Sequence, residues 1–141
     1  MKVELKRIDK DYHMQAAGSA GVPVDIDGAE AIGGHNAGAR PMELMLMSLG
    51  GCSAIDIISI LRKQKIEIED FSISVDGERE ADKTPSLFTN INVHFRFTGQ
   101  NLDENKVKRA VELSMDKYCS AAAVLRKTAI INYTFSIEEH Q

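Results

Sequence analysis

Two cysteines in 141 residues are too few to staple a small secreted scaffold. Runs of basic charge are missing as well. No Lys/Arg cluster exceeds two residues, and the formal net charge is -4 with a pI near 5.6. That balance argues against a nucleic-acid or anionic-membrane partner. The opening residues Met1-Lys2-Val3-Glu4-Leu5-Lys6 have no long apolar core and no cleavage site, so a cytoplasmic location is expected. There is no internal repeat, no low-complexity tract and no linker, so one domain over 1–141 is expected. No G-x-G-x-x-G, P-loop or G-x-S-x-G occurs, which leaves nucleotide binding and serine hydrolysis without support. None of His13, His35, His94 and His140 is spaced at i+3 or i+4 from another histidine or a cysteine. Neither a metal nor a cofactor is therefore expected.

What is present is an ordinary globular composition, 43% apolar and 27% charged. Val3 and Leu5, then Tyr12, Met14 and Ala16, then Val22, Val24 and Ile26 alternate with other residues and predict a small N-terminal antiparallel sheet. Pro23 keeps the third strand at an edge or at its own start. Residues 33–38, rich in glycine, read as a loop.

Pro41 then opens an apolar helix running to Leu61. Its apolar residues wrap nearly the whole circumference, which implies burial on most sides. Its length would permit a membrane span, but Glu43, Asp56, three serines and Gly50-Gly51 interrupt it. A buried central helix is the better reading, and one such chain has little mass to cover it, so a partner subunit is expected. Ile66 to Val75 and Ile91 to Phe97 alternate as an antiparallel pair with one wet face. A second helix fits Leu102 to Tyr118 with Asn101 as its cap, and Ser120 is placed to cap a short third helix to Arg126. Ile131 to Ile137 form a last strand. The order β-β-β-α-β-β-α-α-β describes an α+β domain.

Cys52 lies in the most apolar helix beside Gly50-Gly51, and Cys119 at the junction of two C-terminal helices. Both fit either of two readings: small buried hydrophobes, or a pair in which one thiol attacks a substrate and the other closes a disulfide. Two glycines inside a helix cost about 1 kcal/mol each relative to alanine, so they answer either to close packing or to room for a ligand. Asp56, at i+4 from Cys52, would raise that thiol's pKa unless a cation intervenes. Cys119, before a helix N-terminus, is better placed electrostatically. Arg40 opens the central helix. Glu43 fits a first-turn glutamate that favours the dipole, or an acceptor that orients an active-site arginine.

The stretch from Arg40 to Asp56, RPMELMLMSLGGCSAID, resembles the first signature of the OsmC/Ohr superfamily, the osmotically inducible and organic hydroperoxide resistance proteins. It is most similar to the YhfA-type branch. Tyr118-Cys119-Ser120 is similar to the second signature. The resemblance implies the OsmC-like fold: antiparallel sheets around a long buried central helix, a second long helix, and an intertwined homodimer. It implies a peroxidase reducing organic hydroperoxides, with Cys52 peroxidatic, Cys119 resolving and an external dithiol as reductant. Glu43 approximately matches the family's glutamate, one residue short of the usual spacing, whereas no arginine lies between Arg7 and Arg40 to fill the family's arginine role. Arg40, at the N-terminal end of the helix, could serve only from another subunit or by folding back. A non-enzymatic binding protein with an apolar pocket at the dimer interface, or a thiol redox sensor, is the alternative.

Overall fold

A computed structural model of the chain describes residues 1–139; His140 lies outside them. The chain divides into two compact units, Met1–Met45 and Leu46–Gln141.

In the first unit, β1 (Glu4–Arg7), β2 (Met14–Ala17) and β3 (Pro23–Ile26) form an antiparallel sheet in that order. Pro23 begins an edge strand, as its missing N–H requires. The loop beyond β3 is organised by Asp27, which is buried. Its carboxylate accepts the backbone N–H groups of Gly28 (2.7 Å), His35 (3.0 Å) and Ala37 (3.1 Å). These bonds, led by that from Ala37, hold the Asp27 carboxyl below the ordinary range despite burial. Gly34 is needed there, because a Cβ would lie 2.1 Å from the Gly28 carbonyl oxygen.

His35 Nε2 lies 2.7 Å from Asp11 Oδ2. That bond, with the charges of Asp11, Asp9 and Asp27, raises the imidazole above its ordinary 6.5. A raised pKa stabilises the fold below the unfolded value and loses that contribution as pH rises through the folded one. In an NMR titration His35 is expected to titrate above 6.5, and Asp11→Asn to bring it back toward 6.5. An unchanged midpoint in the variant would refute the pairing.

Helix α1 (Pro41–Lys63) runs from the first unit into the second. It is the one helix among the described residues long and apolar enough to cross a membrane by length and composition. It ends in a left-handed turn at Lys65 (φ 59°): the Lys65 N–H bonds Arg62 O and the Ile66 N–H bonds Leu61 O. This turn takes the backbone of Ile66, so β4 begins at Asp70 rather than at Ile66.

In the second unit β4 (Asp70–Arg79) pairs antiparallel with β5 (Phe88–Thr98), and β6 (Ile130–Glu138) pairs parallel with β5. The expected antiparallel pattern therefore holds for β4–β5 and not for the last strand. A parallel partner requires a crossover, and here it carries α2 (Glu104–Leu113) and α3 (Ser120–Leu125). The strictly alternating β5 buries Ile91, Val93, Phe95 and Phe97 on one face. Phe71 stacks on Phe97, ring centroids 4.6 Å apart. Leu49, Ile57 and Leu61 of α1 and Val107, Ala110, Val111 and Met115 are buried as well.

The cap of α2 is Asp103, not Asn101. Asp103 Oδ1 accepts the N–H groups of Asn105 (3.0 Å) and Lys106 (3.2 Å), while Asn101 takes a left-handed turn at φ 53°. Nor does α2 continue regularly to Tyr118. It widens into one π turn over Ser114–Tyr118, closed by the Cys119 N–H on Ser114 O at 2.7 Å.

Within a single chain α1 is not covered on most sides. Leu49, Ser53, Ile57 and Leu61, four residues apart, are buried. On the opposite side Met47, Gly51 and Ile55 share another stripe. Met47 is 56% exposed and Ile55 69%, and nothing lies within 4 Å of a Cβ placed on Gly51. Gly50 is different: it is buried, and its Cβ would touch Val75 at 3.4 Å.

Candidate active site

Cys52 and Asp56 stand one turn apart on the same side of α1, between the buried and exposed stripes. The π turn delivers Cys119 to them. The Sγ atoms of Cys52 and Cys119 and a carboxylate oxygen of Asp56 all lie within 4.8 Å of one another. Sixty-odd residues of chain separate the cysteines, yet both are free thiols side by side, Cys52 half-buried and Cys119 buried.

Buried polar bonds lock the two elements together. Ser114 Oγ lies 3.3 Å from Ser53 O and 3.2 Å from Asp56 Oδ2, and Ser53 Oγ lies within 3.0 Å of the Leu49 and Gly50 carbonyls. No buried side-chain N or O among the described residues lacks a partner, as a buried polar network requires. The Ser114 hydroxyl sits at the start of the widened turn and so ties the segment carrying Cys119 to the helix carrying Cys52. Ser114→Ala is expected to cost about 1–3 kcal/mol in chemical denaturation, the scale for a buried hydrogen bond whose partners stay behind. A loss within about 0.5 kcal/mol, the range of a neutral surface change, would mean that the tether contributes nothing.

Cys119, rather than Ser120, caps α3. Its backbone is extended, and its Sγ accepts the Ala122 N–H at 3.4 Å. The expectation that a helix N-terminus would favour this thiolate is overturned. Burial pushes the Cys119 thiol from 9.0 up to about 11, and Cys52 and Asp56 add to the rise; the Ala122 N–H opposes it. Six residues of helix supply too little dipole to offset burial.

Arg40 and Glu43 lie in the first unit. The Arg40 backbone N–H donates to Glu43 Oε1 at 2.8 Å, which ties off an otherwise unpaired N–H at the start of α1. The Arg40 guanidinium donates to the carbonyls of Gly38 (3.1 Å) and Asp27 (3.4 Å) and to the Asn36 side chain. Glu43 thus accepts from the Arg40 backbone. In the second unit, Arg126 donates to Met115 O at 3.0 Å, and Arg96 to Ser72 (3.2 Å) and Ser74 (2.9 Å).

A groove of about 510 Å³, lined by Asp56, Ile60, Lys63, Leu113 and Tyr118 among others, opens beside the cluster. A larger one of about 620 Å³ lies toward the end of α1 around Ile58, Arg62 and Ile68, and neither cysteine lines either groove. Of the cluster, Asp56 alone lines the smaller groove. Ser53 and Ser114 were not singled out from the sequence. Asp56 was legible there only as a threat to a thiolate, although its i+4 spacing from Cys52 already put them side by side.

A family model described as OsmC-like protein matches residues 34–134. The protein YhfA of Escherichia coli K12 is 45% identical over 97 residues, covering 69% of this chain and 72% of YhfA. A crystal structure of a hypothetical protein from Aquifex aeolicus VF5 superposes with a TM-score of 0.84 at 28% identity, covering 99% of this chain and 97% of that one. The organic hydroperoxide resistance protein OhrB of Bacillus subtilis shares the fold at a TM-score of 0.67 and 20% identity, over 96% of both chains. The match spans α1, both cysteines and most of the mixed sheet, and the chain belongs to the OsmC-like protein family.

Proposed function

We propose that this chain reduces organic hydroperoxides with its own thiols, Cys52 as the peroxidatic and Cys119 as the resolving cysteine. The observation that carries this reading is the approach of the two sulfurs to within 4.8 Å. A disulfide bond of about 2.05 Å then needs a closure of no more than about 2.8 Å. The half-buried Cys52 is the one a peroxide can reach, and Cys119 is buried behind it. The organic hydroperoxide resistance named for the Bacillus subtilis relative supports the substrate class.

The Cys52 thiolate attacks the outer peroxide oxygen. The O–O bond breaks, the alcohol leaves with a proton, and the sulfur is oxidised to a sulfenic acid. The Cys52 charge that helps raise the Cys119 thiol is then gone. The Cys119 sulfur gives up its proton and attacks the sulfenic sulfur. The S–O bond breaks, the hydroxide leaves with that proton as water, and a disulfide forms. An external dithiol restores both thiols by exchange and is itself oxidised. The proposal keeps Arg40 as a cation supplied from a second subunit to favour the thiolate, and Glu43 as the acceptor that orients an arginine.

The same proposal includes a cytoplasmic setting, where cellular reductants keep the pair reduced, and a homodimer that covers the Met47–Gly51–Ile55 stripe. Turnover of cumene hydroperoxide with dithiothreitol as reductant tests the reaction. Saturable consumption above the dithiothreitol background is expected; consumption at the background rate refutes it.

A further inference from the structure

We infer that the reduced Cys52–Asp56–Cys119 cluster is a zinc site. Two thiols and a carboxylate form a donor set that Zn²⁺ takes, with Zn–S near 2.3 Å and Zn–O near 2.0–2.2 Å. At those radii the edges of a tetrahedron are about 3.3–3.8 Å. The three donor atoms already stand within 4.8 Å of one another, so an ion needs them to draw in by no more than about 1.5 Å. Three protein ligands leave the fourth corner open, the pattern of an exchangeable site rather than a closed structural one. Asp56 also lines the groove of about 510 Å³, which gives water or another small ligand access to that corner.

Two further bonds fit ligands held for a metal. Ser114 Oγ lies 3.2 Å from Asp56 Oδ2 and fixes the rotation of the carboxylate. The Ala122 N–H donates to Cys119 Sγ at 3.4 Å, the kind of support a metal-bound thiolate receives from its surroundings. The histidine spacings that exclude a site in the sequence do not bear on this one, which pairs a helical i+4 step with a cysteine from the crossover.

The site does not depend on the peroxidase reading, but its consequence does. Zinc occupies both sulfurs and shields them. When a hydroperoxide oxidises the pair, two thiolates, the peroxide and two protons give the disulfide, the alcohol and water, and Zn²⁺ is released because two of its three ligands are gone.

The reduced, metal-free full chain is titrated with Co²⁺ and then Zn²⁺. One equivalent of Co²⁺ is expected to give a sulfur-to-cobalt charge-transfer band with tetrahedral visible bands, and Zn²⁺ to bleach both. In competition with a chelator, Asp56→Asn is expected to weaken zinc binding by about 100-fold or more, beyond the roughly 10–100-fold that losing a mere orienting partner costs. Chain oxidised to the disulfide is expected to bind neither ion. Absence of the charge-transfer band in wild type overturns the site, and so does undiminished affinity in a folded Asp56→Asn. No peroxide enters the titration. A chain that binds zinc but never consumes hydroperoxide therefore refutes only the peroxidase, and one that turns over without a cobalt band refutes only the metal site.

Discussion

Cys52→Ser is expected to lower dithiol-dependent hydroperoxide reduction by about 10³-fold or more, to background. A serine hydroxyl in place of the thiol has no accessible anion at neutral pH and no oxidation state in which to hold the peroxide oxygen. Loss of a covalent nucleophile leaves only residual binding effects. Cys119→Ser is expected to behave differently. It still consumes one equivalent of peroxide per chain and then stops at the Cys52 sulfenic acid, which dimedone traps and mass spectrometry reads. Full activity in Cys52→Ser would dismiss the assignment. Undiminished cycling in Cys119→Ser would reassign reduction of the sulfenic acid to the external thiol alone.

Placing glutamate at both Met47 and Ile55 is expected to turn a dimer into folded monomers. Met47, Gly51 and Ile55 recur at every fourth residue of α1, and the two large side chains are 56% and 69% exposed in the single chain. Gly51 between them has open space beyond its Cα, as a crossing point for another helix would. Each buried apolar side chain contributes about 1.5–3 kcal/mol. With two positions on each of two subunits, losing even about 1.5 kcal/mol apiece raises the dissociation constant by about 10⁴-fold. The substituted side chains point away from the chain's own core, so its far-ultraviolet circular dichroism is expected to persist. Sedimentation at micromolar concentration distinguishes the outcomes: a wild type that is already monomeric, or a double variant that stays dimeric, removes the stripe from the interface.

The element order was legible because a period-two pattern is strong where one face is buried, as in β5, and because α1 is a long apolar run opened by Pro41. The caps were less so. Asn101, Asp103, Cys119 and Ser120 are all residues that can end a turn, and choosing among them depends on which backbone N–H groups are left unpaired. That depends in turn on the left-handed turn at Asn101 and on the π turn. The direction of β6 was hidden for a related reason: alternation says which face is buried, not which way the partner strand runs. At the site, the cysteines could be named from the flanking glycines and the family signature. Their proximity could not, because it comes from the bonds of Ser114 to Ser53 and Asp56. The thiol of Cys119 was misjudged because a helix start is visible in a sequence and desolvation is not.

The π turn before Cys119 carries a constraint on chain length. Such a turn holds one residue more than the α-helix around it would need. The turn already absorbs that residue, so one more between Ser114 and Cys119 would break the closing bond from the Cys119 N–H to Ser114 O and carry the sulfur past Cys52 and Asp56, about 100° around the axis. The spacing between the anchoring serine and the late cysteine is thus a ruler. Along it Ser114 and Met115 are fixed by burial and Asp116 accepts from the Tyr133 hydroxyl at 2.9 Å, while Lys117 and Tyr118 are exposed.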